Sequence, residues 1–117
     1  MKHTVSLKLN HEFRRLYSKG RSAASPFLAV YCRKNRLQVS RLGLTTGVKL
    51  GKAVQRNRVR RRLREIYRTN EYRLASGWDV VIVARVKAVY ARYDELERSF
   101  LNLARKLDLL VPVEKQE

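Results

Sequence analysis

A chain of 117 residues with 44% hydrophobic content is long enough to bury one core without staples and too apolar to be disordered, yet it carries a formal net charge of +17. The single cysteine, Cys32, excludes an internal disulfide and suits a reducing compartment, and no apolar run approaches the roughly 20 residues that span a bilayer. These bounds predict one domain over 1–117 with loose ends at 1–8 and 111–117, a cytoplasmic location and no membrane contact.

In chain order, Asn10 is placed to cap a first helix over 11–19, which Gly20 ends. Phe13, Leu16 and Tyr17 then share one face of it. Residues 26–33 alternate as a strand, with Leu28, Val30 and Cys32 on one side and Phe27, Ala29, Tyr31 and Arg33 on the other. Lys34-Asn35-Arg36 reads as a hairpin turn into a second strand over 38–46, where Leu42 and Leu44 oppose Arg41, Gly43 and Thr45. A basic helix over 51–68 follows. Trp78–Ala84 is apolar at nearly every position, as a central strand covered on both faces requires. A last helix over 93–109 lines up Leu96, Phe100, Leu103 and Leu107 as a core stripe. The predicted order is α-β-β-α-β-α, with helices packed on one mixed sheet. Cys32 reads as a small buried hydrophobe on its strand.

The charge is concentrated. From Phe13 to Arg64 no residue is acidic and sixteen are Lys or Arg, while the carboxylates gather mostly late in the chain. Such asymmetry gives one part of the surface a basic field. Its densest stretch is the helix over 51–68. At about 100° per residue, Val59, Leu63, Ile66 and Tyr67 form its apolar stripe. Asn57, Arg60, Arg61, Arg64 and Arg68 occupy the opposite face, with Arg58 and Arg62 at its flanks. Like charges four residues apart cost a bare helix a few tenths of a kcal/mol per pair, about what phosphate binding would remove. Guanidinium groups grip phosphates in bidentate fashion, and Arg outnumbers Lys here.

The stretch Gly47-Val48-Lys49-Leu50-Gly51-Lys52 enters that helix, whose N-terminus favours an anion. It is not a nucleotide-binding P-loop: three residues rather than four separate the glycines, and Ala53 stands where Ser or Thr is needed. No nucleotide cofactor is expected. Phe13, Tyr17, Tyr31 and Phe27 can line a groove bordered by Arg33, Arg41 and Thr45, as aromatic platforms with a basic rim hold single-stranded nucleic acid. Ordinary core packing accounts for the same spacing. The histidines, His3 and His11, stand apart; no carboxylate cluster or His/Cys spacing suggests a metal, and no general acid/base pair is evident.

Arg41-Leu-Gly-Leu-Thr-Thr46, Gly51-Lys-Ala-Val54 and Arg56-Asn-Arg-Val-Arg-Arg-Arg-Leu-Arg-Glu65 together resemble the signature of the bacterial ribonuclease P protein family. The likeness extends to the segment from Asn10 to Gly20, to Asp79-Val-Val-Ile-Val-Ala-Arg85 and to the C-terminal helix. The resemblance implies an α/β (α+β) two-layer sandwich with a left-handed βαβ crossover through the basic helix. It also implies a role as the non-catalytic protein subunit of an endoribonuclease, a hydrolase whose chemistry belongs to a catalytic RNA. The implied partners are that RNA and precursor tRNA, with no obligatory protein partner, and with Mg2+ held mainly by the RNA.

Carried onto this chain, RNA binding by the basic helix falls to Lys52, Arg56, Asn57, Arg58, Arg60, Arg61, Arg64 and Arg68. A cleft for the single-stranded 5′ leader falls to Phe13, Tyr17, Tyr31, Arg41 and Lys49. Two positions depart from the family pattern: Val48 stands where a lysine is common, and Arg62 where relatives are often apolar. A ribosomal or other structured-RNA-binding protein is the alternative reading of the charge; it needs no leader cleft.

Overall fold

The structure is a computed structural model and describes residues 3–112. Its elements are β1 (Thr4–Ser6), α1 (Asn10–Lys19), β2 (Arg21–Ala24), β3 (Leu28–Lys34), β4 (Ser40–Thr45), α2 (Ala53–Asn70), β5 (Trp78–Ala84) and α3 (Tyr93–Lys106). The five strands form one mixed sheet in the order β1-β4-β5-β3-β2. β5 runs parallel to β4 and antiparallel to β3, so α2 is the crossover between the parallel neighbours β4 and β5. The predicted central strand is therefore central, and its bounds match the apolar run.

Strand alternation divides the side chains between two faces. Leu28, Val30, Cys32, Leu42, Val80 and Ile82 pack with Val59, Leu63, Ile66 and Tyr67 of α2 and Leu96, Phe100 and Leu103 of α3 in the main core. Both predicted helical stripes are buried there. The other face carries a smaller cluster, Leu7, Leu16 and Val81, flanked by Phe13, Tyr31 and Val83. The two-layer body is thus the sheet with α2 and α3, and α1 lies alone across the opposite face.

Four sequence expectations change. The turn at Lys34-Asn35-Arg36 does not join a hairpin, because β5 is inserted between β3 and β4. Two short strands join the sheet's edges: β2, paired antiparallel with β3, and β1, paired parallel with β4. Part of the arm expected to be loose over 1–8 is therefore ordered. Thr4 bonds Tyr67 Oη at 3.1 Å and donates to Glu71, and Leu7 is buried. Residues 1, 2 and 113–117 lie outside the described residues. Finally, Asn10 is the first residue of α1 rather than its cap; Leu9 holds the cap position without a side-chain bond.

Candidate nucleic-acid interface

The open face of the sheet is built by the odd-numbered positions of β4 and β5. In register, Arg41 lies beside Asp79, Gly43 beside Val81 and Thr45 beside Val83. α1 crosses these rows. Leu16 is sealed against Val81, and the Phe13 ring rests on Gly43, where a methyl group would come within 2.6 Å of it. Glycine is needed here for close approach rather than for backbone freedom. One row further, Tyr17 meets Tyr31 edge to face at 4.9 Å between ring centres and shares a hydrogen bond with Thr45 Oγ1 at 3.2 Å.

Between α1 and the end of β4 opens a cleft of about 520 Å³, lined by Asn10, Phe13, Arg14, Tyr17, Leu44, Thr45, Thr46 and Arg60. It adjoins a smaller pocket of about 210 Å³ where Phe13 and Gly43 meet Arg60 and Arg64. This junction follows from the sheet edge. β1 pairs with β4 only as far as Leu42, so arginines of α2 reach around the uncovered end of β4 to the face that carries α1. Aromatic platform and basic helix are one continuous surface.

Within that surface the arginines do different work. Arg60 donates to Thr46 Oγ1 at 2.8 Å and Arg56 to the Thr46 carbonyl at 3.2 Å, which fixes both against the cleft wall. Asn57, Arg58, Arg61 and Arg64 are exposed, and their side chains have no hydrogen bond or ion pair among the described residues. Arg68 is paired with Glu65, which lowers the glutamate's pKa below the usual carboxylate range. Arg62, the flank charge, donates to the Ala91 carbonyl at 3.1 Å and ties α2 to the turn before α3. Lys52 precedes α2 and is exposed; its backbone N–H is bound by Gln55 Oε1 at 3.0 Å. Gly51, at φ 129°, lets that glutamine fold back, since a side chain there would collide with it.

Three candidate cleft residues are outside the lining: Tyr31, half-buried, touches Tyr17 without lining the cleft, and Arg41 and Lys49 stand elsewhere. Arg41 is held from both sides: its Nε and Nη2 donate to Asp79 at 2.7 and 2.6 Å, and its Nη1 to Glu12. These carboxylates, the hydrogen bond to Asp79 above all, push the arginine's pKa further up. It clamps α1 to the sheet rather than presenting a free charge. Lys49 lies exposed on a single 3-10 turn, Val48–Leu50, outside the cleft lining, beside a Val48 side chain that is 75% exposed. Sequence reasoning missed Arg14 and Thr46 in the lining. Arg14 is adjacent to Phe13 and four residues from Asn10, a helical spacing that could have revealed it.

A family model for ribonuclease P matches residues 1–108. The chain is 38% identical over 110 residues to the ribonuclease P protein component of Natranaerobius thermophilus, covering 94% of this chain and 96% of the relative. It is 42% identical over 105 residues to that of Caldanaerobacter subterraneus, covering 90% of each. Among solved structures, the RNase P protein of Staphylococcus aureus superposes with a TM-score of 0.83 at 28% identity, over 91% of this chain and 97% of the other. That of Thermotoga maritima gives 0.78 at 32% identity, over 86% and 96%.

Proposed function

Because this chain belongs to the ribonuclease P protein family, we propose that it serves as the RNA-binding, non-catalytic subunit that lets a catalytic RNA capture precursor tRNA by its 5′ leader. The observation that carries this reading is the continuity of the Phe13–Tyr17 cleft with the arginine face of α2 through Arg60. A single-stranded leader requires flat apolar surface for its bases and cations for its phosphates. The cleft offers the Phe13 and Tyr17 rings on one wall and Arg14 and Arg60 at its rim. Asn57, Arg58, Arg61 and Arg64 remain free to dock the phosphates of the larger RNA, each contact releasing counterions.

In this role the protein supplies position and charge, not proton transfer. Among the described residues no group of three or more His, Cys, Asp and Glu side chains gathers to hold a metal. Mg2+ in this role belongs to the RNA, as the family resemblance implies, and the protein brings the leader and the RNA scaffold into one register. No described helix is long and apolar enough to cross a membrane.

The direct assay mixes precursor tRNA, magnesium and the protein, with and without a bacterial ribonuclease P RNA. The expected result is no cleavage by protein alone and stimulation of the RNA at physiological salt. Cleavage by protein alone would contradict the non-catalytic role, and absence of stimulation would point to a structured-RNA-binding protein outside leader processing.

A further inference from the structure

We propose that Arg15, Arg33 and Arg36 form a second site for RNA backbone phosphates, separate from the leader cleft; this rests on the RNA-binding role proposed above. They line a pocket of about 610 Å³ with Asn35, Arg41 and Asp79 as its floor. Arg15 comes from α1, Arg33 from the end of β3 and Arg36 from the turn toward β4. All three are exposed, and none of their guanidinium groups has a hydrogen bond or ion pair among the described residues.

The floor explains why these charges stay uncompensated. Asp79, the carboxylate that lines the pocket, accepts from Arg41 at both oxygens, and its Oδ1 also accepts from Asn35 Nδ2 at 3.0 Å. Glu12, the next acid, is bound by Arg41 Nη1. One arginine thus satisfies both nearby carboxylates and leaves three guanidinium groups facing solvent. Lys34 touches the same pocket, but its ammonium lies 5.8 Å above the Trp78 ring and is already engaged.

The site is also built. Asn35 accepts the Leu37 N–H at 2.7 Å, donates to the Val39 carbonyl at 3.0 Å and, through its own N–H, binds the Gly77 carbonyl at 2.9 Å. These bonds hold Arg36 at φ 61°, a left-handed conformation that a long side chain seldom adopts. The turn therefore presents Arg36 in a fixed place instead of leaving it on a loose loop.

Position separates this pocket from the cleft. Consecutive residues Arg14 and Arg15 enter different pockets, and Leu16 seals α1 against Val81 between them. A leader in the cleft cannot pass beneath the helix to reach Arg33. A different stretch of RNA must supply the phosphates, and three arginines suit two or three of them through bidentate contacts.

The test compares full-length wild type with the triple variant Arg15→Gln, Arg33→Gln, Arg36→Asn, using Asn because it tolerates the left-handed backbone. Affinity is measured across a salt series for a ribonuclease P RNA and, separately, for precursor tRNA on the assembled holoenzyme. A parallel variant, Arg60→Gln, Arg61→Gln, Arg64→Gln, reports on α2. The expected result is a salt dependence shallower by about two to three in log–log slope with at least one RNA. The RNA that shows it is the source of the phosphates. Preference for leader-bearing over mature tRNA should be unchanged. A wild-type slope with both RNAs, while the α2 variant loses slope, would overturn the second site alone. Wild-type slopes for both variants would overturn the RNA-binding role and the site with it. Should the triple variant unfold, Arg15→Gln and Arg33→Gln singly, each expected to lower the slope by about one, decide the matter.

Discussion

Gly43 shows how one missing side chain shapes a site. The Phe13 ring occupies the space that a methyl group at position 43 would fill, so Gly43→Ala must shift the ring. That variant is expected to lower affinity for leader-bearing precursor several-fold while sparing binding to the catalytic RNA, as a paired binding assay would read. Arg41 plays a different part. Removing it strands Asp79, which is buried, and Glu12, so Arg41→Ala is expected to destabilise the protein by about 2–3 kcal/mol in urea unfolding. Cys32 adds a pH dependence. Burial pushes its thiol from 9.0 up to about 11. Below pH 9 the folded and unfolded chains are both protonated there. Above it the unfolded chain releases a proton that the folded chain keeps, so stability falls as pH rises from about 9 to 11. In Cys32→Ser or Cys32→Ala that portion of the alkaline loss should vanish, and alkylation of native Cys32 at pH 8 should be slow.

At the scale of elements, what could be read from sequence is what repeats locally. The helical stripe Val59, Leu63, Ile66 and Tyr67 and the apolar run Trp78–Ala84 announce their burial by period alone. The edge strands do not. β1 has three residues, and β2, reading RSAA, has too little apolar contrast to alternate. The turn at Asn35 looks like a hairpin because local residues cannot show that a strand more than forty positions later enters between its arms. The same limit hid the partners of Arg41, which lie 29 and 38 positions away. Of the candidate site residues, Phe13, Tyr17 and Arg60 converge on one cleft, whereas Tyr31, Arg41 and Lys49 do not line it. For α2, replacing Arg60, Arg61 and Arg64 by Ala is expected to flatten the salt dependence of RNA binding by about two to three in slope, since each phosphate left unneutralised removes roughly one. An unchanged slope would mean that this face is merely solvated.

For the whole molecule, the charge asymmetry acquires a geometry. Most carboxylates sit late in the chain, on α3 and after it, or are bound internally as in the Glu12–Arg41–Asp79 clamp. Uncompensated Arg14, Arg15, Arg33, Arg36 and Arg64 line the pockets around α1 and the open sheet face. On the proposed reading, the arginine face of α2 meets RNA while the cleft between α1 and the sheet takes a single strand. Neither function works alone: charge without the cleft would bind any folded RNA, and the cleft without charge would lack affinity at physiological salt. The most direct measurement is the affinity of the assembled ribonuclease P holoenzyme for precursor tRNA relative to mature tRNA, with wild-type protein and with Phe13→Ala. Wild type should favour the leader-bearing substrate, and Phe13→Ala should lose several-fold to about a hundredfold of that preference while binding the catalytic RNA normally. Equal affinity of the wild-type holoenzyme for both substrates, or a preference untouched by Phe13→Ala, would contradict leader capture in this cleft.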